Sequence, residues 1–448
     1  MTRLFAPAAL LPGGWAFDVL MEIDDAGNFG AVTPRWSPGD AEVLAGAVLP
    51  GMPNVHSKAF QRALAGRTER RAAKSDTFFT WRELMYKLVA RINPEQFEAI
   101  AKYAFIEMLK SGYTAVGEFH YLHNGPGGTP YDRPTELSER LIAAAQAAGI
   151  GLTLLPGLYC YSNFAGHPPL PEQLRFVLSL DAYVSLWTEL QKLMQNDPQL
   201  RLGAAPHSLR AVGRLELTGL IAAVITRDPE APIHMIVSEQ RFEVDSSRMA
   251  FGMAPIEYLF GLTKISARWC LIHATHATRD EIAMLASSGA VVCLCPSSEA
   301  NLGDGIAPAA AIIEREGAFA VGSDSNVTID AAEELRWLEY SQRLTTGRRA
   351  ILASKAYPSA GEFMYRMSLR SGAQALGRRI GAIEPGARAD LVVLDDFTTL
   401  DMFVFSAGRN AVSAVMVGGK WVVRDHAHAG QEEARIAYQE TLDALTRT

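Results

Sequence analysis

Cysteine is scarce, four in 448 residues. Cys160, Cys270, Cys293 and Cys295 lie in or beside apolar, strand-like segments and not in paired loop spacings, which excludes a disulfide framework. Cys293 and Cys295 share a strand face and read as packing residues, not zinc ligands. Runs of Lys and Arg are also missing, and the formal net charge is −7, so neither nucleic acid nor an anionic membrane surface is an expected partner. The apolar N-terminal stretch "MTRLFAPAALLPGGW" breaks at Pro12-Gly13-Gly14 before a signal h-region and cleavage site form. A cytoplasmic protein is therefore expected. There is no internal repeat, low-complexity tract or long polar linker. What remains is a chain 48% hydrophobic and 20% charged, the composition of a globular protein with a large core. Its default ligand is a small molecule.

From about residue 48 to 330, short apolar β-rich segments alternate with amphipathic helical ones. Eight such segments are predicted to end near His56, His120, Tyr159, His207, Glu239, Thr275, Pro296 and Asp324. Helical patterns between them include "PEQFEAIAKYAFIEMLKSG", with Pro94 in its first turn, and "ELSERLIAAAQAAG" and "RDEIAMLASSG", both closed by glycine. Eight strand–helix repeats predict an α/β fold of the (β/α)8 TIM-barrel type, with chemistry on the loops at the strand carboxyl ends. His, Glu and Asp accumulate at those ends. A doubly wound open sheet is the alternative, but no G-x-G-x-x-G follows the first strand. Outside the alternation, "WAFDVLMEIDDAGNFG" reads as a hairpin, and "ADLVVLDD" and "AVSAVMVGGKWVVRD" as two strands. These pieces are too small to fold alone. They predict a small β-sandwich domain from residues 1–48 and 376–430, a barrel from 49–375, and a C-terminal helix over 431–448.

The first predicted strand ends in "PNVHSKAF". His56 is followed two positions later by Lys58, where a second histidine would complete a metal motif. Together with "HSKAFQRALAG", "GYTAVGEFHYLHN", "PHSLRAV", "EQRFEVD", "LIHATHATRDE", "PSSEANLGDG", "GSDSNVTIDAAEELRWLEYSQRL" and "PGARADLVVLD", this segment makes the chain resemble the amidohydrolase superfamily over nearly its full length. Within it the likeness is to the formimidoylglutamate deiminases. The resemblance implies a zinc held by His-x-His after the first strand, a His on the fifth and an Asp on the eighth, with a nearby Glu moving protons. The matching positions are His56 for the first His, Glu239 for the acid/base, Asp324 for the last ligand, and His273 for a sixth-strand His that orients water. Lys58 replaces the second His, Ile236 the fifth-strand His of an "HIHIAEQ" pattern, and Asn326 the His of "SDSH".

A catalytic zinc takes three or four protein ligands. Isoleucine has no lone pair, and lysine ligates only as the neutral amine, which its reference pKa of about 10.4 disfavours. No cofactor is therefore expected, and zinc could bind only weakly, with His234, on the same face as Ile236 and one layer deeper, as the residue that would partly rescue the site. Lys58 would supply the missing positive charge beside Asp324 while Ile236 fills the remaining volume. In a dry barrel mouth a lowered pKa would let Lys58 act as base or as Schiff-base nucleophile, with Glu239, His207 and His273 moving protons. The resemblance also implies a clamp for the glutamate part of a substrate, matched by Gln61, Arg82, Tyr121, His207 and Arg210; two arginines suit two carboxylates. Glu118, His120 and His123 are expected at the same mouth, and Asn301 and Asp304 in a loop that shapes it.

Three functions follow as expectations. The first is an enzyme acting on a C–N or C=N bond of a glutamate-like amino acid without a tightly bound metal, through Lys58, Glu239 and histidines, with Asp324 as counter-charge. The second is a formimidoylglutamate deiminase with a weakened zinc site, releasing ammonia. The third is a ligand-binding protein without catalysis. A homodimer is implied by family analogy alone.

Overall fold

Eight short parallel strands close on themselves in the computed structural model, which describes residues 1–70, 76–395, 399–408 and 411–446. The barrel strands are β1 (Met52–Ser57), β2 (Tyr113–His120), β3 (Gly151–Leu158), β4 in two pieces (Leu200–Leu202 and Ala205–Pro206), β5 (Ile233–Val237), β6 (Trp269–His273), β7 (Val291–Leu294) and β8 (Ala318–Val321). Each ends at or within three residues of its predicted position. The ladders β1–β2–β3–β4 and β5–β6–β7–β8 are all parallel. Bridges Ala204–Ile233 and Ser208–Ile236 join them on one side, and Ser57–Asp324 closes the ring on the other. Most of these strands are buried along their whole length, as expected where crossover helices cover the outer face of a parallel barrel and side chains fill its inside.

The helices start and stop as the sequence prescribes. Helix Pro94–Lys110 opens with a capping box, in which Asn93 Oδ1 accepts from Gln96 N at 2.8 Å and Gln96 Oε1 accepts from Asn93 N at 3.1 Å. Helix Ala360–Leu376 packs on β1 and β8, and its last carbonyls plug the amino-terminal end of the barrel. Ala375 O lies 2.7 Å from His234 Nε2, and Leu376 O accepts from Thr153 Oγ1 at 2.9 Å.

The flanking β-domain is one hydrogen-bonded sheet of nine strands drawn from both chain ends. Its inner face closes on a core including Leu4, Met21, Phe29, Val48, Leu391, Val393 and Met416, so the expected sandwich takes the form of a single continuous sheet. Its central strand, Ala47–Pro50, runs parallel to Thr2–Leu11 and antiparallel to Leu391–Leu394. The boundary predicted at residue 48 thus moves to Gly51, because the apolar run 47–57 serves two sheets in succession. A Cβ at Gly51 would lie 2.2 Å from the Thr114 side chain, so only glycine passes through this corner. Thr2–Leu11 forms from the N-terminal apolar stretch, for which periodicity alone specifies no element, and pairs with Gly14–Ile23, which in turn pairs with Phe29–Thr33. The C-terminal helix runs Gln431–Thr446; residues 447–448, and Asp396 at the end of the predicted strand 389–396, lie outside the described residues. No helix among the described residues is long and apolar enough to cross a membrane.

Candidate active site

The seam between β1 and β8 carries the charged centre. Lys58 N donates to Asp324 O and Asp324 N to His56 O, both at 2.9 Å. Lys58 Nζ then lies 2.6 Å and His56 Nε2 3.1 Å from the same atom, Asp324 Oδ1. Gly322 makes this seam possible, since a Cβ there would meet His56 N at 2.7 Å. Asn326 ties the two strands further, donating to Ser57 Oγ at 3.1 Å and accepting from Ser323 Oγ at 2.6 Å. Burial pushes the Lys58 ammonium toward neutrality, but the carboxylates of Asp324 and Glu239 outweigh it and hold the pKa above the ordinary lysine value. The lowered pKa expected for a lysine base or Schiff-base nucleophile is therefore corrected: Lys58 is an ammonium with a carboxylate partner. Burial likewise opposes the Asp324 charge, and Lys58 and His56 overcome it, keeping Asp324 well below the usual carboxylate range. Burial lowers His56 to about 3, so its imidazole is neutral.

A second cluster sits across the mouth on β5 and β6. His273 Nε2 is 3.7 Å from Glu239 Oε1, and His273 Nδ1 is 3.2 Å from Glu299 Oε1. Burial disfavours the imidazolium, yet Glu239 and Glu299 prevail and raise the His273 pKa well above its ordinary value. Ser238, His273 and Asp324 all have positive φ (52°, 72° and 45°). Such left-handed backbone costs about 1–3 kcal/mol at a non-glycine residue and concentrates at functional sites. Glu243 braces one of these bends, its carboxylate accepting from Ser238 N at 3.0 Å and Glu239 N at 2.9 Å. Sequence reasoning passed over Glu299 and Glu243, although both sit inside segments that carry the family likeness.

The residues matched to a substrate clamp converge. Gln61, Arg82, Tyr121, His207 and Arg210 line one cavity with Lys58, Ile236, Glu239 and Asp324. Gln61 Nε2 donates to Tyr121 Oη at 3.1 Å, and Arg210 Nη1 to Tyr159 Oη at 2.9 Å. The Arg82 guanidinium lies 5.1 Å from the Phe79 ring and 5.7 Å from the Tyr86 ring. Among the described residues no carboxylate stands within ion-pair distance of either arginine. His207 is neutral, its pKa driven well down by burial and then by Arg210. Free space in the cavity is about 50 Å³, below the roughly 300 Å³ at which ligand pockets begin. Phe78, Trp81 and Leu302 also line it.

Other expected residues lie elsewhere. Glu118, His120 and His123 do not line the cavity. Alternation along β2 turns Phe119 inward, where it packs edge-on against His56 and His207, and sends Glu118 and His120 to the opposite face. His120 packs between Phe97 and His123, and His123 Nε2 is 2.8 Å from Gly157 O. Glu118 Oε1 accepts from Ala59 N at 2.6 Å, holding the turn that carries Lys58. His234 does lie one layer below Ile236, but it is committed to Ala375 O and is no rescuing ligand. At the rim, Asn301 donates to Glu69 Oε1 at 2.8 Å and Asp304 accepts from Gln240 Nε2.

Burial raises the Glu118 pKa to about 8. The folded state then binds a proton that the unfolded chain has released, so stability declines as pH rises from about 4.5 to 8. Glu118→Gln keeps the acceptor for Ala59 N and removes the titration. Its melting temperature relative to the unsubstituted protein is expected to rise steadily across that window; a pH-independent difference would refute the assignment.

His56, His273 and Asp324 each offer a ligand atom within 4.8 Å of the others. Of the metal set that the resemblance implies, His56 and Asp324 are present, and Lys58 and Ile236 stand at the other two positions. Lys58 Nζ lies 2.6 Å from Asp324 Oδ1, while His273 is held at Nδ1 by Glu299, which leaves its Nε2 without a hydrogen-bond partner among the described residues. The fifth-strand position, Ile236, contributes only hydrocarbon to the cavity wall.

A closed eight-stranded barrel with a polar centre at its strand carboxyl ends and a sheet built from both termini is the architecture of a barrel-type enzyme. The family model for the amidohydrolase family matches residues 47–422, and the chain belongs to that family. Formimidoylglutamate deiminase of Pseudomonas aeruginosa is 46% identical over 455 residues, covering 99% of this chain and 100% of that protein. An amidohydrolase from Brucella melitensis superposes with a TM-score of 0.96 at 40% identity, with both chains covered in full. A zinc-bound adenosine deaminase from Xanthomonas campestris shares the fold, with a TM-score of 0.82 at 22% identity over 99% of this chain and 98% of that one.

Proposed function

We propose that this chain is a carbon–nitrogen bond hydrolase for a small glutamate-type amino acid, with the Lys58–Asp324 ion pair standing in place of a tightly held metal. The observation that carries the reading is the pair of arginines, Arg82 and Arg210, which line a cavity shared with Lys58 and Glu239 and form no ion pair with a carboxylate among the described residues. Half-buried guanidinium groups of this kind call for an anionic ligand, and bidentate geometry suits carboxylates. The name of the Pseudomonas relative supports a glutamate-type ligand.

In this mechanism the arginines, Gln61 and Tyr121 hold the amino-acid end, and the reacting carbon faces Glu239. Glu239 takes a proton from water as the water oxygen bonds to that carbon. The C–N bond then breaks, and the leaving nitrogen receives a proton from Glu239. The His273 imidazolium, fixed by Glu299, donates a hydrogen bond to the developing negative charge. No step passes through a metal.

Two measurements test this reading. Calorimetry with glutamate and its N-substituted derivatives is expected to show binding that Arg210→Ala weakens by about 2–5 kcal/mol, the cost of truncating one partner of a buried charge pair. Unchanged affinity would sink the clamp. Dialysed protein is expected to hold substoichiometric zinc; one equivalent retained would favour a second reading, in which His56, His273 and Asp324 hold a metal.

A further inference from the structure

The backbone carrying Glu239 is held from the next helix, Arg241–Phe251, and the use inferred for that hold rests on the proton-moving role proposed above for Glu239. Gln240 caps the helix and Glu243 is its third residue. A glutamate in that position ordinarily reaches back to the backbone N–H of the capping residue. Glu243 reaches further: its Oε1 accepts from Ser238 N at 3.0 Å and its Oε2 from Glu239 N at 2.9 Å. Consecutive N–H groups gathered at a turn form a concavity for an anion, and the left-handed Ser238, with φ of 52°, makes that turn. The anion filling it is the buried carboxylate of Glu243. On the other side of the bend, Ser238 O accepts from His276 N at 3.1 Å. The bend is thus pinned between the helix that follows β5 and the loop that follows β6.

A bond to Gln240 N would serve the helix alone. The bonds to Ser238 N and Glu239 N instead fix the peptide from which the Glu239 side chain leaves to face His273 Nε2 at 3.7 Å. Both carboxylate oxygens are used, so an amide, with one acceptor and one donor group, satisfies only one of the two N–H groups. Glu243 does not itself line the cavity. We propose that Glu243 is a positioning residue for Glu239, holding the proton-moving carboxylate at the cavity wall without touching the ligand.

The test is a double-mutant cycle on the full chain, read by steady-state kinetics with N-formimidoyl-L-glutamate and N-formyl-L-glutamate as the substrates. Glu243→Gln, which keeps the side-chain shape, is expected to lower kcat by roughly 10- to 100-fold, the range for a misplaced reacting group, with KM changed less than about twofold. Glu243→Ala, which removes both acceptors, is expected to lower kcat at least as far. In a Glu239→Gln background the proton-moving group is already gone, so adding Glu243→Gln should cost less than about twofold more. A residue that only stabilises the fold gives the same fold-loss in both backgrounds. Equal losses in the two backgrounds, or an unchanged kcat in both Glu243 variants, overturn the inference and leave the role of Glu239 standing. Hydrogen exchange read by mass spectrometry is independent of turnover: the segment holding the Ser238 and Glu239 amides is expected to exchange about tenfold faster or more in Glu243→Gln, and unchanged protection overturns the inference. Full activity in Glu239→Gln, or turnover of neither compound by the unsubstituted protein, overturns both.

Discussion

Lys58→Met is expected to lower the free energy of unfolding by about 3–5 kcal/mol, the cost of removing one member of a buried ion pair. Asp324 has no exposed surface, and both its oxygens are without a well-aligned hydrogen bond. The Lys58 ammonium at 2.6 Å is therefore its main compensation, since the neighbouring His56 is neutral. Adding Asp324→Asn to Lys58→Met should restore much of the loss, because a neutral amide can remain buried at far smaller cost. The sign with pH follows from the two shifts. Asp324 is depressed below 3.8, so its contribution is present above that value and is lost as pH falls through the folded pKa. Lys58 is raised above 10.5, so its contribution is complete below that value and is lost as pH climbs through the folded pKa. The deficit of Lys58→Met is thus widest from about pH 4 to 10 and narrows in acid. Urea denaturation of the three proteins at pH 7 and pH 3 measures it. A loss of less than about 1 kcal/mol at pH 7, the range of an exposed pair, would mean that water reaches the pair and that it is no buried centre.

Glu239→Gln is expected to reduce turnover by about 10²- to 10⁴-fold with little change in KM, the signature of a lost general base. Glu239 lines the cavity, faces His273 Nε2 at 3.7 Å and is fixed through its own backbone N–H by Glu243. The amide keeps the shape and loses the basicity. Steady-state kinetics on whichever glutamate derivative the protein hydrolyses reads the effect. A rise in KM with kcat preserved would instead make Glu239 a ligand-holding residue and pass the base role to another group.

Much of this architecture was legible before any coordinates. The eight apolar segments place all eight barrel strands, since a parallel strand covered by helices must be apolar along its length. Asn93, Pro94, Gly149 and Gly289 bound their helices by local rules alone. The misplacements have physical reasons. The stretch from Ala47 to Val55 is mostly apolar, and its Pro50-Gly51 does not by itself show that the two sides serve two sheets. Side-chain alternation decides that Phe119 faces inward while Glu118 and His120 turn away, and in a strand buried on both faces the pattern is silent on which face is which.

By itself, then, the sequence determined the strand–helix alternation, the family and the residue types at the positions where the resemblance implies histidines: a lysine, an isoleucine and an asparagine. Only the tertiary structure decided what those types do. The lysine pKa turned on which charges lie within a few ångströms of Nζ. Asp324 and Glu239 follow β8 and β5, each more than 180 residues away in the chain, and their combined field outweighs burial. Electrostatic energy depends on distance in space, and the closed barrel sets that distance.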